Sequence, residues 1–152
     1  ASGVRGINIE EDDEVVGMIT YDPTAEDAAA HSILVVSENG YGKRSDFDEY
    51  RKTNRGGKGV KTLQITDKTG PLVAMKNVTD ENDLMIINRS GLTIRMAVSD
   101  IRVAGRATQG VRLINIKEGD SIAAISAVNK SEEETPEQPV EGAAETQEQV
   151  NE

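Results

Sequence analysis

A chain of 152 residues with no cysteine, no tryptophan and a single phenylalanine, Phe47, has room for one domain with an aliphatic core, and it excludes a disulfide framework and thiolate metal sites. Its formal charge is -10, yet eight glutamates and no lysine or arginine fall in residues 131–152, so residues 1–130 carry only -2. No apolar run reaches the roughly 18 residues of a membrane span and no charged, apolar leader precedes the first strand-like segment, so a soluble, cytoplasmic chain with no membrane partner is expected. Because it opens at Ala1-Ser2-Gly3 without an initiator Met, the chain is read as part of a larger protein.

In chain order, Gly3-Val4-Arg5-Gly6-Ile7-Asn8-Ile9 leads into the acidic run Glu10 to Glu14, which lacks the spacing and glycine of a calcium loop and reads as a connecting turn. The β-branched run at residues 15–20 predicts a strand, and residues 25–31 predict one helical turn within a longer loop. His31 has no second His or Cys with which to build a metal or nucleophile site. Strands are predicted at residues 33–37, 72–75, 84–88 and 122–128, with Asn39-Gly40 and Ser90-Gly91 as tight hairpin turns.

Between these lies the most basic stretch, residues 51–61, where Arg51, Lys52, Arg55, Lys58 and Lys61 surround Gly56, Gly57 and Gly59. Glycine lets a backbone approach a phosphate and present its N–H groups, while the cations supply sequence-independent attraction, so a polyanionic partner is expected here. The tail from residue 130 to 152 has no aromatics and too little apolar content to offset ordering entropy, and disorder is expected there. It reads either as a solubilising extension or as a polyanion competing for the body's cations.

An internal repeat governs the expected fold. Gly59-Val60-Lys61-Thr62-Leu63-Gln64-Ile65 and Gly110-Val111-Arg112-Leu113-Ile114-Asn115-Ile116 superimpose on the Gly3 segment without gaps, at spacings of 56 and 51 residues. Gly40 and Gly91 are also 51 apart, Tyr50-Arg51 falls on Ile101-Arg102, and Arg55 on Arg106. Repeated units of short strands predict an all-β, propeller-like array of four-stranded antiparallel blades, of which the chain holds about two and part of a third. Tyr50 beside Arg51 invites a nucleophile reading, but its counterpart Ile101 marks the position as apolar packing.

The box-like turn Arg55-Gly56-Gly57-Lys58-Gly59, with Gly3-Val4-Arg5-Gly6-Ile7, Asn39-Gly40-Tyr41-Gly42-Lys43-Arg44 and Val103-Ala104-Gly105-Arg106-Ala107-Thr108-Gln109-Gly110-Val111, resembles the last blades of the C-terminal domain family of the DNA gyrase A subunit. The resemblance covers residues 2–128, and the acidic tail is a family feature too. It implies a β-pinwheel whose blades end at residue 129, followed by the tail at 130–152. It further implies a basic rim that wraps double-stranded DNA in support of ATP-dependent negative supercoiling. The expected partners are the rest of the gyrase A subunit and the B subunit in an A2B2 holoenzyme using ATP and Mg2+, with no cofactor, metal site or catalytic residue in this stretch. One departure is that Thr53-Asn54 replaces the Gln-Arg that opens the family's diagnostic box, which makes this a late-blade relative of it. Alternatives are the related C-terminal domain of the topoisomerase IV A subunit, or a β-repeat adaptor whose rim meets an acidic protein.

The cations of these units, most of which recur from one to the next, are the expected DNA contacts: Arg5, Lys43, Arg44, Arg51, Lys52, Arg55, Lys58, Lys61, Arg95, Arg102, Arg106 and Arg112. Equivalent places in a curved array lie along one rim, so these side chains would meet phosphate after phosphate.

Overall fold

A computed structural model describes residues 2–105 and 108–130; Arg106, Ala107 and the tail from residue 131 onward lie outside the described residues. Within these bounds the chain is all-β, with strands β1 (Ser32–Ser37), β2 (Tyr41–Ser45), β3 (Leu72–Val78), β4 (Asn82–Asn88), β5 (Thr93–Ala97), β6 (Val111–Arg112) and β7 (Ile122–Asn129). Three short 3-10 turns, Ala28–Ala30, Phe47–Glu49 and Val98–Asp100, are the helical elements among the described residues. No helix among them is long and apolar enough to cross a membrane.

Turn chemistry sets the hairpins. Gly40 and Gly91 both sit at φ 89°, where a side chain is strained, and each reverses the chain between an apolar strand and its antiparallel partner, β1 to β2 and β4 to β5. The 51-residue repeat then shows in three dimensions. Phe47–Glu49 and Val98–Asp100 form the same turn after the second strand of each hairpin. A register shift between Val36 and Ser37 in the β1–β3 pairing recurs between Ile87 and Asn88 in the β4–β7 pairing.

The two sheets are interlocked. One has the order β3-β1-β2-β6 and the other β5-β4-β7, every pairing antiparallel. β6 follows β5 in the chain but returns to the first sheet, pairing Tyr41 with Arg112 and Gly42 with Val111, while the Leu113 amide donates to the Gly40 carbonyl at 2.7 Å. The fourth strand of one unit is thus supplied by the next. Glycine permits the crossing, because a Cβ on Gly110 would lie 2.5 Å from the Gly42 carbonyl oxygen and one on Gly42 would lie 2.6 Å from that of Val35.

β1 is buried along its whole length and its two faces feed two clusters. Leu34 and Val36 join Val78, Leu84, Ile86, Val98, Ile101, Ile114, Ile122 and Ile125 in a core shared by both units. Ile33 and Val35 pack with Leu63 against Ile19, Phe47, Tyr50, Leu72 and Met75. Tyr21 stacks on Phe47 with ring centroids 3.7 Å apart. Burial of these aliphatic groups, at about 25 cal/mol per Å2, is what fastens the units together.

One predicted strand is absent. Residues 15–20 form no strand, and Val15, Val16 and Met18 are exposed. The repeat puts them at the place of β3 and β7, each of which pairs with the first strand of a hairpin upstream of it; among the described residues no hairpin precedes residues 15–20. The sequence pattern of a strand is present without a partner strand among the described residues.

Candidate nucleic-acid interface

Two basic segments, 51–61 and 102–112, occupy equivalent places and are tied down in different ways. In the first, Gly56 and Gly59 take left-handed φ values of 77° and 80°. The Gly56 amide donates to the Gly6 carbonyl at 2.9 Å, and the Asn8 amide donates to the Gly57 carbonyl at 2.8 Å. The turn therefore docks on residues 6–8, and Arg5, Arg51, Lys52, Arg55, Lys58 and Lys61 are all exposed. The Gly56 N–H is engaged by the protein itself, so that amide is not offered to a phosphate.

The second segment runs across β2. The Ala104 amide donates to the Arg44 carbonyl at 2.7 Å, Val103 forms a bridge with Arg44, and the Gln64 amide donates to the Thr108 carbonyl at 3.0 Å. Arg102 and Arg112 remain exposed at its two ends. The Arg112 guanidinium lies 5.3 Å from the centre of the Tyr41 ring and donates to the Tyr41 hydroxyl at 2.9 Å, while the Lys68 ammonium sits 5.5 Å from the same ring. Burial would raise the Tyr41 hydroxyl pKa, but the Arg112 hydrogen bond and the charges of Arg112 and Lys68 outweigh it and bring it below the ordinary tyrosine value.

Lys43 and Arg44 correct the predicted rim. Both were expected among the DNA contacts, yet Lys43 is 1% and Arg44 4% exposed. The Lys43 ammonium donates to the Gly105 carbonyl at 2.9 Å and to Thr108 Oγ1 at 3.4 Å. Arg44 donates to Ser32 Oγ at 2.9 Å, to the Asp80 carboxylate at 2.7 Å, and to the carbonyls of Val98 and Ile101 at 3.2 Å each. Buried cations are tolerated only when their donors are used, and these are used by the protein. Arg95, at the place of Arg44 in the second unit, is 42% exposed and pairs with Asp83 at 2.7 Å.

Three cations outside the predicted set flank Arg112. Lys68 and Lys117 line a shallow depression of about 250 Å3 with Tyr41, Arg112 and Asp120. Arg89 and Lys117 line the adjoining one with Leu92 and Asp120. Lys68 falls on Gly119 in the repeat, so recurrence gave no signal for it. Asp120 accepts from Ser90 Oγ at 2.7 Å and from the amides of Ser121 and Ser90 at 2.8 and 3.1 Å, with Asn88 Nδ2 at 3.2 Å. The Ser90 bonds foremost hold its carboxyl below the usual range, so it acts as an ionised anchor between the 117–121 turn and the β4–β5 hairpin.

The residues considered for other chemistry have local partners. Tyr50 is half-buried in the second apolar cluster and its hydroxyl bonds Thr62. His31 places Nε2 3.0 Å from Asp27 Oδ2 and Nδ1 2.7 Å from Asn77 Oδ1. Both neighbours are acceptors, which favours the doubly protonated ring and raises its pKa, chiefly through Asp27. Among the described residues no group of three or more His, Asp or Glu is arranged to hold a metal ion, Glu10 to Glu14 included.

Comparison with known proteins adds to this geometry. A sequence model of the family described as the DNA gyrase C-terminal domain, beta-propeller, matches residues 1–22, 31–79 and 82–129. The DNA gyrase A subunit of Staphylococcus epidermidis is 46% identical over 133 residues, which is 88% of this chain but 14% of that protein's own length. Among solved structures, a DNA gyrase A C-terminal domain superimposes with a TM-score of 0.60 at 24% identity, over 63% of this chain and 33% of that one. The C-terminal domain of a DNA topoisomerase IV does so with a TM-score of 0.71 at 22% identity, over 83% and 38%. Both likenesses support the propeller-like architecture.

Proposed function

The chain belongs to the DNA gyrase C-terminal domain family, and on that footing we propose that it binds duplex DNA along its exposed cations and bends it, as one part of a type II topoisomerase. The observation that carries this reading is the repetition of a basic segment at equivalent places, each presenting cations to solvent: Arg51, Lys52, Arg55 and Lys58 on one, Arg102 and Arg112 on the other. Arg5 joins the first group and Lys61 extends it, while Arg95, drawn to Asp83, contributes less. Such an array contacts phosphates, not base edges, so binding would depend on backbone charge and DNA deformability. Smooth bending costs on the order of 1–6 kcal/mol, which several phosphate contacts must offset.

In the intact protein, residues 1–129 would supply late blades of a DNA-wrapping rim and residues 130–152 an acidic tail. Wrapping would support ATP-dependent negative supercoiling by an assembly of A and B subunits, with ATP and Mg2+ bound elsewhere. A topoisomerase IV role is the second reading, favoured by the 0.71 TM-score and separable by whether the intact enzyme supercoils or only relaxes DNA.

The test is duplex binding by the full chain as a function of salt. A log-log slope of about -0.9 per phosphate contact is expected, and changing Arg51, Lys52, Arg55 and Lys58 together to Ala should flatten it by about 0.9 for each that touches a phosphate. An unaltered slope would remove this segment from the interface. Salt-insensitive binding to an acidic protein, with none to DNA, would favour the adaptor reading.

A further inference from the structure

Lys43 is the largest fully buried side chain among the described residues, and its position suggests a task distinct from that of its neighbour. Arg44 and Arg95 are 51 residues apart and make the same cross-strand bond, Arg44 Nε to Ser32 and Arg95 Nε to Asp83, whose partners are also 51 apart. That arginine belongs to the repeating unit itself. Lys43 does not recur, because its counterpart is Ile94, which packs against the shared apolar core.

The difference matches what covers each strand. β2 carries the second basic segment across it, fastened by the Ala104 amide, by the Val103 bridge and by the β6 pairing. Among the described residues nothing pairs with the equivalent edge of β5. A lysine stands where a basic segment must be held, and an isoleucine where none docks. The Lys43 ammonium bonds Gly105 and Thr108, which lie between the anchors at Ala104 and Val111, and it is shielded from water, where a charge-assisted hydrogen bond is stronger than on the surface.

We propose that Lys43 is a positioning residue that clamps Gly105 and Thr108 onto β2, and so sets DNA affinity without touching a phosphate. The proposal rests on the DNA-binding reading above. With Arg112 held by the β6 pairing, loss of the Lys43 bonds would loosen Arg102 relative to it, and the ordering that Lys43 supplies in advance would have to be supplied on binding.

Two measurements on the full chain test this: salt-titrated duplex binding, and amide hydrogen exchange read at Ala104 against the β1 amides. Lys43→Met is expected to weaken binding about tenfold at fixed salt with an unchanged log-log slope, and to accelerate exchange at Ala104 while β1 stays protected. Thr108→Val, which removes one exposed end of the clamp, should give a smaller change in the same direction, and it decides the matter if Lys43→Met loses protection throughout. A slope that falls by about 0.9 with Ala104 exchange unaltered would make Lys43 a phosphate contact and overturn the proposal. Unchanged affinity and exchange would overturn it equally. If the unaltered chain binds no duplex, the DNA reading fails, while Ala104 exchange still reports whether the clamp exists.

Discussion

Glycine-to-alanine changes at three positions separate the two requirements that the interlocked fold places on its backbone. Gly105 has nothing within 4 Å of an added Cβ and no left-handed φ, so Gly105→Ala is expected to alter stability by less than about 0.5 kcal/mol. Gly91 is equally open but sits at φ 89°, which for alanine costs about 1–2 kcal/mol. Gly110 combines φ 77° with a Cβ position 2.5 Å from the Gly42 carbonyl oxygen and 3.0 Å from its carbon. Relieving that contact would push β6 off β2 and weaken its two-residue pairing and the Leu113-to-Gly40 hydrogen bond, at about 0.5–1.5 kcal/mol for each bond lost. The expected cost for Gly110→Ala is therefore about 2–5 kcal/mol. Urea unfolding of the three variants, compared at constant m, measures the series. Equal costs at Gly91 and Gly110 would show that the strands do not cross in close contact, and the interlock as described would be wrong.

Arg44→Met should destabilise the fold by about 2–4 kcal/mol in the same urea assay, because the buried carbonyls of Val98 and Ile101 lose a donor, whereas Arg95→Met, at a half-exposed ion pair, should cost about 1 kcal/mol or less; matching costs would argue against the structural role of Arg44. His31 gives a pH dependence whose sign follows from its raised pKa. The stabilisation it brings to the 22–31 loop is fully present below the unfolded value of about 6.5 and is lost as pH rises through the higher folded value. The Tm measured from pH 5.5 to 8 should fall over that window, and Asp27→Asn should flatten the fall; a flat profile in the unaltered chain would contradict the His31–Asp27–Asn77 arrangement.

Local chemistry made much of this fold legible in the sequence. Gly40 and Gly91 mark reversals that any two-strand turn of this kind needs, and the β-branched runs beside them became β1 and β4. The repeat supplied the unit, down to the shared placement of Tyr50 and Ile101 in apolar surroundings. What stayed hidden was non-local. Arg44 and Arg95 occupy one place in the repeat but differ in exposure, 5% against 42% for their side chains, because residues 103–104 and 111–113 pair with the first hairpin while among the described residues no strand pairs with the matching edge of the second. A cation in a basic run reads as solvated until its cover, some 60 residues downstream, is known. Residues 15–20 show the converse, with a strand's composition and no strand to pair with among the described residues. Lys68 lies outside the basic stretch and the repeated segments, and only the fold brings it to Tyr41.

The same three residues that knit the units also present charge. Gly110 leads into Val111-Arg112, the fourth strand of the preceding sheet, and the Arg112 side chain lies over Tyr41. Its position is therefore fixed by sheet register, Tyr41 opposite Arg112, and a slip by one residue would carry the guanidinium to the other face. The first basic turn is held differently, by Gly6 and Asn8, which belong to the corresponding Gly-Val-Arg segment at the start of the chain. In both cases exposed cations are anchored to backbone pairing between units rather than carried on a free loop. If the chain binds DNA as proposed, the spacing of its phosphate contacts is a property of the interlock, and changes that loosen strand crossing should weaken binding even where no cation is removed.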